Sequence, residues 1–165
     1  MSAAVARLLI VDDESAQMRA LCDTLVLEGY ITHGFSSARQ ALTELRPGQF
    51  DLLLTDLMMP EMDGITLINA ARQIDPTLGA VVMTGHGTID TAVQAMQAGA
   101  LDYILKPFKL TAILPVLTRA LAVRRLRMEN IQLHEALGIY KLRMGVALAF
   151  DGDTVLRKIA DAAPD

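Results

Sequence analysis

Short apolar runs alternate with longer amphipathic segments over most of the chain. Five runs have the length and composition of buried strands, and they begin near residues 7, 30, 51, 80 and 102. Each run is followed by apolar residues at helical spacing, which predicts a helix after every strand. Five such repeats predict an α/β fold in which helices cover both faces of a parallel sheet.

Polar side chains stand where the predicted strands end. Strand one runs into Asp12 and Asp13, strand three ends on Asp56, strand four on Thr84 and strand five on Lys106. The carboxyl ends of parallel strands meet at one edge of a sheet, where ligands bind. Each residue alone has an ordinary explanation as a cap, a turn or a solvated side chain. Together they indicate a site.

The chemistry of this set points to phosphoryl transfer. Three neighbouring carboxylates repel one another unless the lysine or a hard cation neutralises them. Mg²⁺ fits best, because it prefers oxygen ligands and is typically held by carboxylates and a phosphate oxygen. A carboxylate beside the ion can attack phosphorus and form an aspartyl-phosphate. Lys106 and the hydroxyl of Thr84 would then contact phosphoryl oxygens, and Gly85 leaves room beside them.

Composition excludes several other classes of function. Fifteen basic and nineteen acidic residues give a net charge of -4, which offers no electrostatic argument for binding nucleic acid or an anionic membrane. Cys22 is the only cysteine, so a disulfide framework and a thiolate zinc site are excluded. No apolar run is long enough to span a bilayer. We therefore expect a soluble, cytoplasmic protein without membrane contact.

Four ordered motifs resemble the receiver domain of two-component response regulators: VDDE at 11–14, TDLMMPEMDG at 55–64, VMTGHG at 82–87 and DYILKPF at 102–108. The resemblance covers roughly residues 5–123, and we expect a receiver domain over 1–123. It implies a flavodoxin-like sheet of five parallel strands in the order 2-1-3-4-5. It also implies a signalling switch rather than an enzyme, which receives its phosphoryl group from a sensor histidine kinase or a phosphotransfer protein in a phosphorelay.

The resemblance also assigns roles to individual residues. The implied magnesium ligands are the side chains of Asp12, Asp13 and Asp56 and the backbone carbonyl of Met58. Asp56 is the implied phosphoacceptor, Lys106 and Thr84 contact the phosphoryl group, and Thr84 and Tyr103 form the switch. The peptide bond between Lys106 and Pro107 is expected to be cis. Met58 and His86 flank the path of an attacking water, and the apolar Met58 predicts slow autodephosphorylation.

Three rival interpretations remain to be weighed. A phosphatase of the haloacid dehalogenase type also uses magnesium and an aspartyl nucleophile, but it needs a second aspartate where this chain has Met58. A flavodoxin-like flavin binder needs a phosphate-binding loop after strand one, where this chain has three acids. A constitutive interaction module that is never phosphorylated would not need the intact acids, Thr84 and Lys106.

The C-terminal quarter of the chain has a different pattern. Residues 124–150 predict a linker or signalling helix, and residues 151–153 predict a turn that caps a further helix over 154–162. The sequence from Ile139 onward resembles the helical entrance to GAF sensory domains, so residues 151–165 are expected to begin a truncated following domain. The alternative is a stand-alone receiver with a helical tail. No DNA-reading helix or basic surface is evident, and no nucleic acid contact is expected.

Two apolar stripes follow one another along the final helical pattern. The first consists of Leu110, Leu114, Leu117 and Leu121, contains Pro115 within its span, and is expected to pack on the sheet. The second consists of Leu126, Leu133, Leu137, Tyr140 and Met144. The five-residue step between them turns the second stripe by roughly 140°. We therefore expect it to form a parallel coiled-coil homodimer, and the alternative is a tail that folds back or frays at Gly138 and Gly145.

Overall fold

The computed structural model describes the backbone of residues 3–162 and the side chains of residues 3–144. The strands are β1 Arg7–Val11, β2 Ile31–Phe35, β3 Leu52–Asp56, β4 Gly79–Thr84 and β5 Asp102–Leu105. The helices are α1 Ser15–Leu27, α2 Ala38–Glu44, α3 Gly64–Ile74, α4 Ile89–Gln97 and α5 Leu110–Ala162. All strand pairs are parallel and the order is β2-β1-β3-β4-β5, which confirms the predicted topology.

Helices cover both faces of the sheet, and its three central strands β1, β3 and β4 are buried along nearly their whole length. Helix α1 and the first part of α5 pack on one face with Leu52 and Leu54, and α2, α3 and α4 pack on the other with Leu53. All five residues of β3 are buried. Burying one leucine side chain contributes about 1.5–3 kcal/mol. The central strand therefore holds the acid at its end, Asp56, in a well-packed frame.

Side-chain caps begin three of the helices. Ser37, Asp63 and Thr88 each accept a hydrogen bond from the backbone N–H three residues later. A cap of this kind contributes about 1 kcal/mol because it satisfies an N–H group that has no partner within the helix.

The backbone divides into two compact units, the first ending at Arg125 and the second beginning at Leu126. The turn predicted at residues 151–153 is wrong, because α5 continues through them to Ala162 and includes the helix expected over 154–162. One glycine inside a helix costs about 1 kcal/mol of stability. Ending the helix there would leave about four carbonyl groups without intrahelical partners, so continuing the helix is favoured. Pro115 lies within α5, as predicted.

Two further expectations, the resemblance to a GAF entrance and the lack of a membrane span, concern the described residues only in part. Most of the segment that resembles a GAF entrance lies at 145–165, whose side chains fall outside the described residues. Among the helices of the described part, none has both the length and the apolar character that crossing a membrane requires.

Candidate functional site

The parallel topology brings the predicted residues to one edge of the sheet. Asp12 directly follows β1, Asp56 and Thr84 are the last residues of β3 and β4, and Lys106 directly follows β5. Asp12, Asp56 and Thr84 are buried, with exposed fractions of 2%, 7% and 1%. Asp13 is exposed. Three buried polar side chains at one strand edge need partners: Asp12 and Asp56 each accept from Lys106, and Thr84 accepts from the backbone N–H of His86.

The acids form a compact cluster bridged by the lysine. One carboxylate oxygen from each of Asp12, Asp13 and Asp56 lies within 4.8 Å of the others. The Lys106 ammonium donates to Oδ2 of Asp12 at 2.5 Å and to Oδ2 of Asp56 at 3.3 Å. Lys106 therefore offsets part of the repulsion between the two buried carboxylates. Asp13 has no such contact among the described residues, which leaves its charge for a cation.

The electrostatics of the cluster favour binding a positive charge. Burial raises the pKa of Asp56, and the nearby charge of Asp12 raises it further, against the opposing effect of Lys106. Burial lowers the pKa of Lys106, but its hydrogen bond to Asp12 and the charges of Asp12 and Asp56 outweigh burial, so the net pKa is raised. Lys106 therefore remains an ammonium. A divalent cation on the carboxylates would favour the ionised form of Asp56.

The loop after β4 forms another wall of the site. The Thr84 hydroxyl oxygen accepts a hydrogen bond of 3.2 Å from the His86 backbone N–H. A Cβ atom at Gly85 would meet no atom within 4 Å, so space lies open beside Thr84. The exposed side chain of Met58 and the His86 side chain line the same cavity. The structure thus brings Met58 and His86 to the site, as the sequence had suggested.

Tyr103 lies half-buried against the same loop. Its hydroxyl is 3.4 Å from the Thr91 hydroxyl in α4, and a Cβ atom at Gly87 would collide with the Tyr103 hydroxyl and with Leu105. Sequence reasoning missed Gly87 and Thr91. The signal for Gly87 was the second glycine within the short loop at 85–88, which is typical of a close approach by another group.

The loop after β3 approaches the cluster through a second glycine. The Gly64 N–H donates to the Leu57 carbonyl at 2.8 Å, and a Cβ atom at Gly64 would collide with the Asp56 carbonyl oxygen. The Met58 N–H lies 3.4 Å from Oδ1 of Asp56. Helix α3 can therefore begin directly beside the end of β3. The peptide bond Lys106–Pro107 is cis, which confirms the expectation from the resemblance.

A cavity of about 790 Å³ extends from the acid cluster along α1 and the start of α5. Its wall includes Gln17, Ala20, Leu21 and Thr24 of α1 and Phe108, Leu110 and Ile113 from the other side. The sequence did not predict this groove, because it depends on the spacing between two helices that are far apart in the chain. Acidic groups lie at one end of the cavity, and the rest of its wall combines apolar side chains with the polar Gln17 and Thr24.

Comparison with known proteins identifies the family. Residues 8–118 match the family model described as the response regulator receiver domain. The chain belongs to the response regulator receiver family. Such receivers are signalling switches of two-component systems, so the match favours the signalling hypothesis over the phosphatase and the flavin binder.

Three relatives illustrate the match. The C4-dicarboxylate transport transcriptional regulatory protein DctD of Rhizobium meliloti (strain 1021) is 41% identical over 136 residues, 82% of this chain. Regulatory protein AtoC of Escherichia coli (strain K12) is 37% identical over 134 residues, 81% of this chain. The solution structure of the beryllofluoride-activated NtrC4 receiver domain dimer superposes with a TM-score of 0.65 at 33% identity, covering 72% of this chain and 98% of that one. This receiver is homologous to those of the NtrC and DctD type.

The match covers only part of each longer regulator. The chain spans 29% of the length of DctD and 29% of the length of AtoC. In contrast, it covers almost the whole of the NtrC4 receiver. The family match therefore describes the receiver and carries no conclusion about the remainder of those regulators.

Proposed function

We propose that this receiver accepts a phosphoryl group on Asp56 from a sensor histidine kinase or a phosphotransfer protein, in a reaction that requires Mg²⁺. The observation that carries the proposal is the convergence of Asp12, Asp13 and Asp56 within 4.8 Å, bridged by Lys106. One carboxylate oxygen of Asp56 attacks phosphorus, the bond from phosphorus to the donor nitrogen breaks, and the imidazole leaves with that electron pair.

The donor set of the cluster fits Mg²⁺. Carboxylate and carbonyl oxygens are the ligands that this hard ion prefers, and the proposed set is Asp12, Asp13, Asp56 and the backbone carbonyl of Met58. When bound, the ion neutralises charge on the phosphoryl oxygens. The proposal rests on the chemistry of these donors.

Lys106 and Thr84 are proposed to hold the phosphoryl group. The ammonium of Lys106 is already within hydrogen-bond distance of Asp56, so it can reach an oxygen of a group bound there. The Thr84 hydroxyl lines the same cavity at the end of the adjacent strand. Phosphorylation replaces the single negative charge of the Asp56 carboxylate with the greater negative charge of a phosphoryl group, and these two donors offset the added repulsion in the cluster.

The response to phosphorylation is proposed to pass through Thr84 and Tyr103. A phosphoryl group on Asp56 offers the Thr84 hydroxyl a stronger acceptor, and the loop that joins Thr84 to α4 also packs on Tyr103. Movement of that loop frees the Tyr103 ring to turn inward and changes the surface made by α4 and β5. Identical NMR spectra for this region with and without beryllium fluoride and magnesium would contradict the switch.

Phosphate incorporation tests the assignment of Asp56. We expect the full chain to incorporate radiolabelled phosphate from a small phosphodonor in the presence of Mg²⁺, and Asp56→Asn to incorporate none, because an amide is not a nucleophile toward phosphorus. Asp23→Asn, an exposed position of α1, is the matched control and should behave as the parent. Incorporation at the parental level in Asp56→Asn would show that phosphorylation occurs elsewhere.

We further propose that the receiver forms a homodimer through the second apolar stripe of α5. All five of its members are exposed: Leu126, Leu133, Leu137, Tyr140 and Met144. An exposed apolar stripe of this length on a helix is stabilised by a partner helix. The NtrC4 receiver, which is 33% identical, is described as a dimer, which supports the proposal.

The net charge of -4 supports a receiver that does not itself contact nucleic acid. Because its phosphodonor is proposed to be a sensor kinase, we place the receiver in the cytoplasm.

A further inference from the structure

The second stripe of α5 contains one polar position. The six residues that follow one another at alternating steps of four and three are Leu126, Asn130, Leu133, Leu137, Tyr140 and Met144. In a heptad this order places Leu126, Leu133 and Tyr140 at d, and Asn130, Leu137 and Met144 at a. All six side chains are exposed in the single chain. Asn130 is thus the one amide on a face that is otherwise apolar.

We propose that Asn130 makes the homodimer parallel and in register. This inference rests on the proposed dimer and adds its geometry. In a parallel pair, the residue at heptad position a packs against the same residue of the other helix. The two Asn130 amides therefore meet and can hydrogen-bond to each other. A shift by one heptad would place each amide opposite an apolar side chain, where it would be buried without a partner. Asn130 therefore selects one register.

The residues that flank the stripe favour the parallel arrangement. In a parallel pair, each residue at heptad position g faces the residue at position e that lies five residues later in the other helix. Glu129 at g then faces His134 at e, and its carboxylate can accept a hydrogen bond from the imidazole N–H. The other two such pairs place Ala122 against Arg127 and Ala136 against Lys141. None of these three pairs brings like charges together.

An antiparallel pair is the competing arrangement. With the two stripes fully overlapped, Asn130 would face Tyr140, and Glu129 would face Arg143, which is attractive. However, Arg127 would face Lys141 on the other helix, and the two His134 side chains would face each other. The attraction and the repulsion then oppose each other, whereas the three pairs named for the parallel arrangement bring no like charges together. The charges therefore distinguish the two arrangements.

Disulfide formation tests the orientation in the full chain. In a Cys22→Ser background, Leu126→Cys and Met144→Cys proteins are mixed in a glutathione redox buffer. A parallel pair brings identical positions together, so we expect disulfides that join 126 to 126 and 144 to 144. Antiparallel helices would instead join 126 to 144, and that product as the main species would overturn the proposal.

Replacement of the amide tests the role of Asn130. We expect Asn130→Leu to lower the dissociation constant of the dimer by at least about tenfold, because burying leucine is favourable where burying the amide was costly. We also expect species larger than dimers, or mixed 126–144 disulfides, because no polar pair then selects one arrangement. Gln132→Leu, an exposed amide outside the stripe, is the matched control and should leave mass and register unchanged.

The outcomes separate this inference from the dimer itself. If the parent chain and all variants sediment as monomers at high concentration, the proposed dimer is absent and the inference fails with it. If the parent is a dimer and Asn130→Leu matches Gln132→Leu in mass, dissociation constant and disulfide pattern, the dimer stands and the role of Asn130 is overturned.

Discussion

Met58 is the residue whose side chain bears most directly on the lifetime of a phosphoryl group. It is two residues from Asp56, is 61% exposed and lines the cavity at the acid cluster. A thioether cannot orient an attacking water, whereas an amide can. We expect Met58→Asn to shorten the phosphoryl half-life by roughly tenfold, which corresponds to about 1.4 kcal/mol of barrier. Decay of the radiolabel measures it, and Met96→Asn, another exposed methionine, is the control. An unchanged decay rate would remove this role.

Gly87 determines at the same scale where Tyr103 can lie. Because a Cβ atom at this position would collide with the Tyr103 hydroxyl, Gly87→Ala should displace the ring before any phosphorylation. We expect the ring resonances of Tyr103 in the unphosphorylated protein to shift toward those of the beryllofluoride form. Gly85→Ala adds the same methyl group in open space and should leave those resonances in place. Superimposable Tyr103 spectra for Gly87→Ala and the parent would contradict this explanation.

At the scale of elements, a network at the opposite end of the sheet attaches α5 to the strands. The guanidinium of Arg124 in α5 donates to the Thr77 carbonyl at 2.8 Å and lies 3.4 Å from Asp51, just before β3. Asp51 also accepts from the backbone N–H of Arg7 in β1 at 2.8 Å. One carboxylate thus joins the start of two strands to α5.

The pKa of Asp51 makes this network sensitive to pH. Burial raises that pKa, but the hydrogen bonds and charge of Arg7, with the charge of Arg124, outweigh burial and hold it below its usual value. A depressed pKa contributes stability above the unfolded pKa of about 3.9, and that stability is lost as the pH falls through the folded value. We expect Asp51→Asn to lower the free energy of unfolding by about 1–2 kcal/mol at pH 7. The difference in the free energy of unfolding between the parent and Asp51→Asn should narrow toward pH 3.

Urea unfolding at the two pH values measures the effect. Asp23→Asn, which is exposed and outside the network, is the matched control and should change the free energy of unfolding little at either pH. A deficit in Asp51→Asn that stays the same size at pH 3 would show that packing rather than the charge of Asp51 accounts for it.

At the scale of the whole molecule, the proposed dimer depends on which face of α5 forms the contact between the two helices. Leu137 belongs to the second stripe, whereas Leu142 lies on the opposite face of the same helix, and both are exposed. We expect Leu137→Glu to convert the dimer to a monomer in light scattering, because it places two carboxylates in a buried seam. Leu142→Glu makes the same change on the outer face and should leave the dimer intact. Equal effects of the two substitutions would show that the stripe is not the interface.

Local pattern by itself determined the elements of the receiver and the edge at which its site lies. Strands buried on both faces require continuous apolar runs, and parallel connections require a helix between them, so both are visible in the order of residues. The same topology forces every strand to end at one edge. The convergence of Asp12, Asp56 and Lys106 could therefore be predicted before any distance was known.

Only the tertiary structure decided which side chains touch. The bridge from Lys106 to Asp12, the collision that Gly87 avoids with Tyr103, and the joint of Arg7, Asp51 and Arg124 link residues that are far apart in the chain. Such contacts depend on rotamers and on the spacing between packed elements, which hydrophobic periodicity does not encode. The continuation of α5 through residues 151–153 was missed for a related reason. Helix propagation is cooperative, so the local preference of a glycine and two aspartates for a turn did not prevail.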